Sequence, residues 1–194
     1  MRRGVFGGTF DPVHLGHLVA AVNAAHAASL DEVLLVVANR PWQKAARRRM
    51  TPAADRYALV EAAVRGVDGL RASDIELRHG GESYTADTLA ELASSRPSDE
   101  LFLVVGADVA AELQTWERFE EVAALAAVVV VNRPGVQRPV LDGSWRVVHA
   151  EMPALDISST DLRSRAADGR PLRFLVPDAA IRCIGERGLY AGGR

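Results

Sequence analysis

The segment GGTFDPVHLGH at residues 7–17 brings together residue types that bind phosphate. Gly7 and Gly8 let the backbone come close to a ligand. Asp11 and Pro12 have the character of a turn into a helix, and a helix start points free N–H groups and the positive end of its dipole at anions. His14 and His17 are three apart, so in a first helical turn they share one face and can donate two ring N–H bonds to the same phosphate. Metal binding is the sharpest rival for such a pair. A structural zinc site wants four ligands, however, and the chain has one cysteine, Cys183, with His26, His79 and His149 scattered elsewhere.

Other segments carry weaker signals. In ISSTDLR, residues 157–163, Ser158, Ser159 and Thr160 stand where a helix begins, so they read as a cap whose hydroxyls and N–H groups can also hold phosphate, with Arg163 one turn in. Asp108 follows the apolar run LFLVVGA, where an aspartate is most often a turn or cap residue. Trp116 alone reads as core packing. Of 23 basic residues 22 are arginine, and the single lysine, Lys44, lies in the loop RPWQKAARRR as a compact point charge. Arg47, Arg48 and Arg49 read as a solvated face. No Ser/His/Asp or Cys/His arrangement suggests a protein nucleophile.

The elements that must position these residues alternate. A short strand around residues 4–6 leads to a glycine turn and a helix from about His14 to Ser29, with Leu15, Leu18, Val19 and Val22 on its buried side. The continuous apolar run EVLLVVAN, residues 32–39, fits a parallel strand covered on both faces. A helix is expected from Pro52 to Val64, capped by Thr51 with Pro52 in its first turn. A strand near 70–77, a helix over 85–94, a strand and exit loop over 101–108 and a helix over 119–126 follow. AVVVVNRPG supplies a strand ending at Pro134, WRVVHA the last strand, and two helices close the chain. This alternation predicts one domain, residues 1–194, with a helical end at about 157–194, in a three-layer α/β fold with a doubly wound, mainly parallel sheet. Ligands of such sheets sit outside the carboxyl ends of the strands, near the point where strand order reverses. GGTF, RPWQK, GAD, NRPG and ISST each follow a predicted strand, so all five should lie along one edge.

Composition is that of an ordinary globular protein, 48% hydrophobic and 25% charged. A net charge of -2 gives no global reason to bind nucleic acid or an anionic membrane. One cysteine excludes an internal disulfide and fits the cytoplasm, and no apolar stretch reaches membrane-spanning length. A homo-oligomer stays open.

The histidine pair of GTFDPVHLGH together with ISSTDLR resembles the nucleotidylyltransferase superfamily, which has a Rossmann-like fold. SYTADT at 83–88, GADVAAELQTWERF at 106–119, VNRPG at 131–135 and the ending FLVPDAAIRCIGERGLY extend the likeness, over nearly the whole chain, to bacterial nicotinate-nucleotide adenylyltransferases. The resemblance implies transfer of AMP from ATP to nicotinate mononucleotide, giving nicotinate adenine dinucleotide and pyrophosphate in NAD biosynthesis, with Mg²⁺ on the substrate phosphates and no metal ligands from the protein. It places Gly8, Thr9 and Phe10 at the junction of the two nucleotides, and His14 and His17 on the ATP phosphates. It puts Ser158, Ser159, Thr160 and Arg163 on the β- and γ-phosphates, Asp108 at the ATP ribose, and Gly106 among the ATP-binding residues. Tyr84 and Thr85 meet the nicotinate carboxylate, Trp116 stacks on its ring, and Arg133 and Lys44 hold the acceptor phosphate or the triphosphate. One departure stands out: the family loop carries a proline pair, histidine and lysine, where this chain has Pro41, Trp42, Gln43 and Lys44. Phosphopantetheine adenylyltransferase shares the histidine pair and an ISS segment but not SYTADT or Trp116. A cytidylyltransferase for an alcohol phosphate is a weaker version of the same idea, and a non-catalytic nucleotide sensor has little support because both histidines, Lys44 and Arg163 are present.

Overall fold

The computed structural model describes residues 1–40, 50–132, 134–141, 143 and 145–192. The expectations for RPWQK beyond Arg40, including Lys44, and for Arg133 therefore fall outside the described residues.

Six strands form one sheet in the order β3-β2-β1-β4-β5-β6. They are β1 (Arg2–Gly8), β2 (Glu32–Val37), β3 (Leu70–Ser73), β4 (Glu100–Gly106), β5 (Ala126–Asn132) and β6 (Val147–Glu151). Every neighbouring pair is parallel. The chain builds outward from β1 through β2 to β3, then returns to the other side of β1 and builds outward again through β4, β5 and β6. Strand order thus reverses between β1 and β4, which opens a crevice at their carboxyl ends.

Helices cover both faces. On one, Val33, Leu35 and Val37 pack with α2 (Ala53–Val64) and α8 (Asp178–Glu186), while Phe102, Val104, Val129 and Val131 meet α1 (Leu15–Ala27). On the other, Leu34, Val36, Leu103, Val105 and Val128 pack against α4 (Thr85–Ser95), α5 (Ala107–Ala110) and α6 (Phe119–Leu125). This alternation along β2 and β4 is why their sequences are apolar without a break: both faces are buried.

One buried face and two boundaries differ from the sequence reading. In α1 Leu18 and Val19 pack half-buried on the core as expected, but the fully buried positions are Ala20, Ala21 and Ala24, and Val22 is 44% exposed. The sheet beneath presents Phe102, Val104 and Val129, and only small residues let the helix axis come near so bulky a surface. α2 begins one residue later than expected, with Pro52 as its cap, because the Thr51 carbonyl is taken by Arg56 Nε at 2.8 Å. The strand expected to Leu77 ends at Ser73 and gives way to α3 (Ile75–His79). There Ser73 Oγ accepts the Ile75 N–H, and a side chain that bonds its local backbone competes with the ladder.

Candidate active site

β1 ends in Gly8, where a Cβ would lie 2.6 Å from the Phe10 ring, so only glycine fits. Phe10 has φ 48° and Asp11-Pro12 is a cis peptide, which turns the chain sharply toward α1. Phe10, Asp11 and Val13 are buried, and this packing holds the loop to one path. His14 is the cap of α1 rather than part of it, and His17 is the third helical residue. The two rings stack, with centroids 3.7 Å apart and planes 27° apart. Phe10 meets His17 edge-on at 5.0 Å. The His14 N–H donates to His17 Nδ1 at 3.2 Å. That bond needs an unprotonated Nδ1, so the ring proton of neutral His17 sits on Nε2, which becomes the donor nitrogen.

α7 (Ser159–Ala167) is docked on this loop. Ser159 Oγ donates to the Pro12 carbonyl at 2.9 Å and Arg163 Nη1 to the Asp11 carbonyl at 2.6 Å. Arg163 Nη2 also reaches Thr160 Oγ1 at 3.0 Å. Ser158 caps the helix by accepting the Asp161 N–H at 3.2 Å, and both Ser158 and Thr160 are exposed. The histidine loop and the ISST segment, far apart in sequence, are therefore one structural unit.

A cavity of about 220 Å³ lies in the crevice between β1 and β4. Gly7, Gly8 and Thr9 form one wall, and Val105 and Gly106 a second. Tyr84 and Thr85 at the start of α4, with Trp116, close the third side. Tyr84 caps α4 (Thr85–Ser95) with no side-chain hydrogen bond to the helix, and its carbonyl accepts the Asp87 N–H at 3.2 Å. Its hydroxyl turns away to Glu82 at 2.7 Å, and that bond pushes the phenol up. The volume is below the roughly 300–1,000 Å³ of sites that enclose a whole drug-sized ligand, so it suits one end of a nucleotide.

Of the residues singled out from the sequence, Gly8, Thr9, Tyr84, Thr85, Gly106 and Trp116 line the cavity, and His14, His17, Ser159 and Arg163 gather on the loop that leaves it. Phe10 is buried beneath that loop and supports His17 with its ring rather than facing the cavity. Asp108 is exposed in α5, beside the cavity rather than in its lining, and a Cβ on Gly106 would lie 2.6 Å from its Oδ1. Gly106 thus leaves room for that carboxylate.

Two buried groups had escaped the sequence reading. Glu76 lines the cavity, accepts from Thr88 Oγ1 at 3.0 Å, and is pushed up by burial against the lowering effect of the Ser83 and Thr88 hydroxyls. Arg56 is 1% exposed and donates to three carbonyls, one of them that of Thr9 at 2.7 Å. A signal for it existed: at helical spacing Arg56 falls on the same face as Leu59, Val60 and Ala63.

A parallel doubly wound sheet with a glycine loop, a histidine pair and a helix start at its switch point defines a nucleotide-binding α/β protein of the nucleotidyltransferase type. Comparison with known proteins makes this specific. A cytidylyltransferase-like family model matches residues 5–165. Probable nicotinate-nucleotide adenylyltransferases are similar at 45% identity in Frankia casuarinae, over 96% of this chain and 98% of the relative, and at 43% in Streptomyces coelicolor, over 96% and 99%. Among solved structures, Plasmodium falciparum nicotinic acid mononucleotide adenylyltransferase complexed with NaAD superimposes with a TM-score of 0.78 at 16% identity, covering 97% of each chain, which speaks for the fold. The chain belongs to the cytidylyltransferase-like family and, within it, to the nicotinate-nucleotide adenylyltransferases.

Proposed function

We propose that the chain transfers the adenylyl group of ATP to nicotinate mononucleotide. The observation that carries this reading is the cavity at the β1/β4 switch point, with the glycine loop that leads on to the histidine pair on one side and the α4 start and Trp116 on the other. The nicotinate ring lies against Trp116, and its carboxylate meets the N–H groups of Thr85 and the residue after it. The mononucleotide's phosphate then lies near Thr9, where its oxygen attacks the α-phosphorus of ATP in line. The new P–O bond forms as the bond to the β-phosphate breaks, and pyrophosphate leaves.

The attacking phosphate is already an anion at neutral pH, so no general base is needed and catalysis rests on placement and on charge stabilisation. His14 and His17 meet the charge that develops, His17 through Nε2–H. Ser158, Ser159, Thr160 and Arg163 hold the β- and γ-phosphates at the start of α7, and Gly106 and Asp108 meet the ribose. Lys44 and Arg133 complete the phosphate contacts. Among the described residues no cluster of three or more histidine, cysteine or acidic side chains offers a metal cage. The donors around the loop suit anions, and Mg²⁺ bound with the triphosphate would supply neutralisation of charge on the leaving pyrophosphate.

The test is pyrophosphate release from ATP and Mg²⁺ with nicotinate mononucleotide, nicotinamide mononucleotide or phosphopantetheine as acceptor. Turnover with the first is expected. Rapid turnover with phosphopantetheine and none with nicotinate mononucleotide would overturn the reading.

A further inference from the structure

Arg56 stands in the first turn of α2, where a charge is ordinarily solvated, yet among the described residues it is the largest side chain that is fully buried. Its donors go to three separate segments. Nε reaches Thr51 O at 2.8 Å, Nη1 reaches Thr9 O at 2.7 Å, and Nη2 reaches Asn39 O at 3.1 Å. Thr9 follows β1 and belongs to the phosphate loop. Asn39 follows β2, and it is itself bonded onward: its backbone N–H donates to Ser83 Oγ at 2.8 Å and its Nδ2 to Gly81 O at 2.8 Å. The Ser83 N–H returns a bond to Arg40 O at 3.2 Å. Ser83 precedes Tyr84 and Thr85, and all three line the cavity.

A continuous path of hydrogen bonds therefore runs from the phosphate loop, through the guanidinium and Asn39, to the turn on the far side of the cavity. The sheet ladder pairs β1 with β2 as far as Gly8 and Val37, and Thr9 and the Ser83–Thr85 turn lie beyond that point. A rigid planar fork can hold several carbonyls at set angles, which an ammonium on a flexible stem cannot do.

We infer that Arg56 is a positioning residue that sets the spacing between the phosphate loop at Thr9 and the acceptor turn at Ser83–Thr85 by holding the Thr9 and Asn39 carbonyls at once. The inference rests on the adenylyl-transfer reading, in which one nucleotide is gripped by each wall and the reacting oxygen and phosphorus must meet in line. Loss of the fork leaves each nucleotide its own wall but misaligns the two, and a displacement of about 1 Å costs on the order of 10²-fold in rate.

The experiment compares the parent, Arg56→Lys, Ser83→Ala and the double variant. For each, kcat is measured with ATP and nicotinate mononucleotide, and Kd is measured by calorimetry for nicotinate mononucleotide alone and for a non-hydrolysable ATP analogue alone. Arg56→Lys is expected to lose about 10²-fold in kcat while each Kd stays within about threefold. Ser83→Ala is expected to lose about tenfold, and the double variant no more than Arg56→Lys alone, because both changes cut one path. A folded Arg56→Lys protein with parental kcat, or single losses that multiply in the double variant, would overturn the inference. Should Arg56→Lys fail to fold, Ser83→Ala decides, and parental kcat there overturns it too. An inactive parent refutes the adenylyl-transfer reading and the inference with it. An active parent with unaffected variants refutes the inference alone.

Discussion

The backbone N–H of His14 donates to Nδ1 of His17 at 3.2 Å, so the capping bond of α1 also decides which nitrogen of His17 carries its proton. The side chain proposed to meet the phosphate charge is thereby held by its own helix start. His17→Ala is expected to lose about 10²- to 10³-fold in the rate of pyrophosphate release, the range for deletion of one donor in a charge-stabilising site. The ring is only partly buried, so the fold should persist by circular dichroism. His17→Gln, whose amide nitrogen can reach the same place as Nε2, should recover part of the loss. Full activity in His17→Ala would remove the residue from the mechanism.

Trp116 packs on the core with one side and lines the cavity with the other, and this double placement sets a distinct prediction. Stacking of a ring on an aromatic side chain contributes about 1–3 kcal/mol. Trp116→Ala should therefore raise KM for nicotinate mononucleotide by about tenfold or more and change KM for ATP far less. Equal changes in both constants would mean a general loss of packing instead.

The sequence made the interior of the sheet plain and its margins obscure. β2, β4 and β5 are unbroken apolar runs because both faces are buried, and such runs have no other good use in a chain of this composition. The edge strand β3 lacks that signal, with only Leu70 buried, so its end at Ser73 was hidden among residues equally suited to a strand or a turn. In α1 Leu18 and Val19 are legible as core-facing, whereas Ala20, Ala21 and Ala24 are not, because alanine contributes little apolar area even where close approach demands it. In the site, the glycine loop, the histidine pair and the α7 start were legible from their types and spacing. Arg56, Asn39 and Glu76 were not, because their importance lies in which carbonyls, amides and hydroxyls the folded chain brings to them.

Glu76 makes stability depend on pH. Burial raises its carboxyl above the ordinary range, so the folded state holds this proton more tightly than the unfolded chain does. The contribution is fully present below the unfolded value and is lost as pH rises through the folded one. Glu76→Gln keeps an Oε1 to accept from Thr88 and cannot ionise. Melting curves should place the variant above the parent at pH 8, with the gap narrowing toward pH 5. A gap that is constant across this range would assign the effect to packing.

Tyr190, just after α8, donates its hydroxyl to Asp11 Oδ1 at 2.7 Å and so fastens that turn to the loop after β1. Burial, together with the neighbouring carboxylate, pushes the phenol far up, and it remains a donor at every pH the enzyme meets. Asp11 is 1% exposed, and its own carbonyl is the anchor for Arg163. Tyr190→Phe removes one donor from a buried carboxylate, a change that costs about 1–3 kcal/mol. In a chain of this length each kcal/mol moves Tm by about 2–4 °C, so the variant should melt roughly 2–12 °C lower. Because the same loop leads to His14, kcat should also fall as temperature approaches the new Tm, before global unfolding is seen by circular dichroism. A variant with parental Tm and an unchanged rate profile would show that the C-terminal segment is not what holds the histidine loop in place.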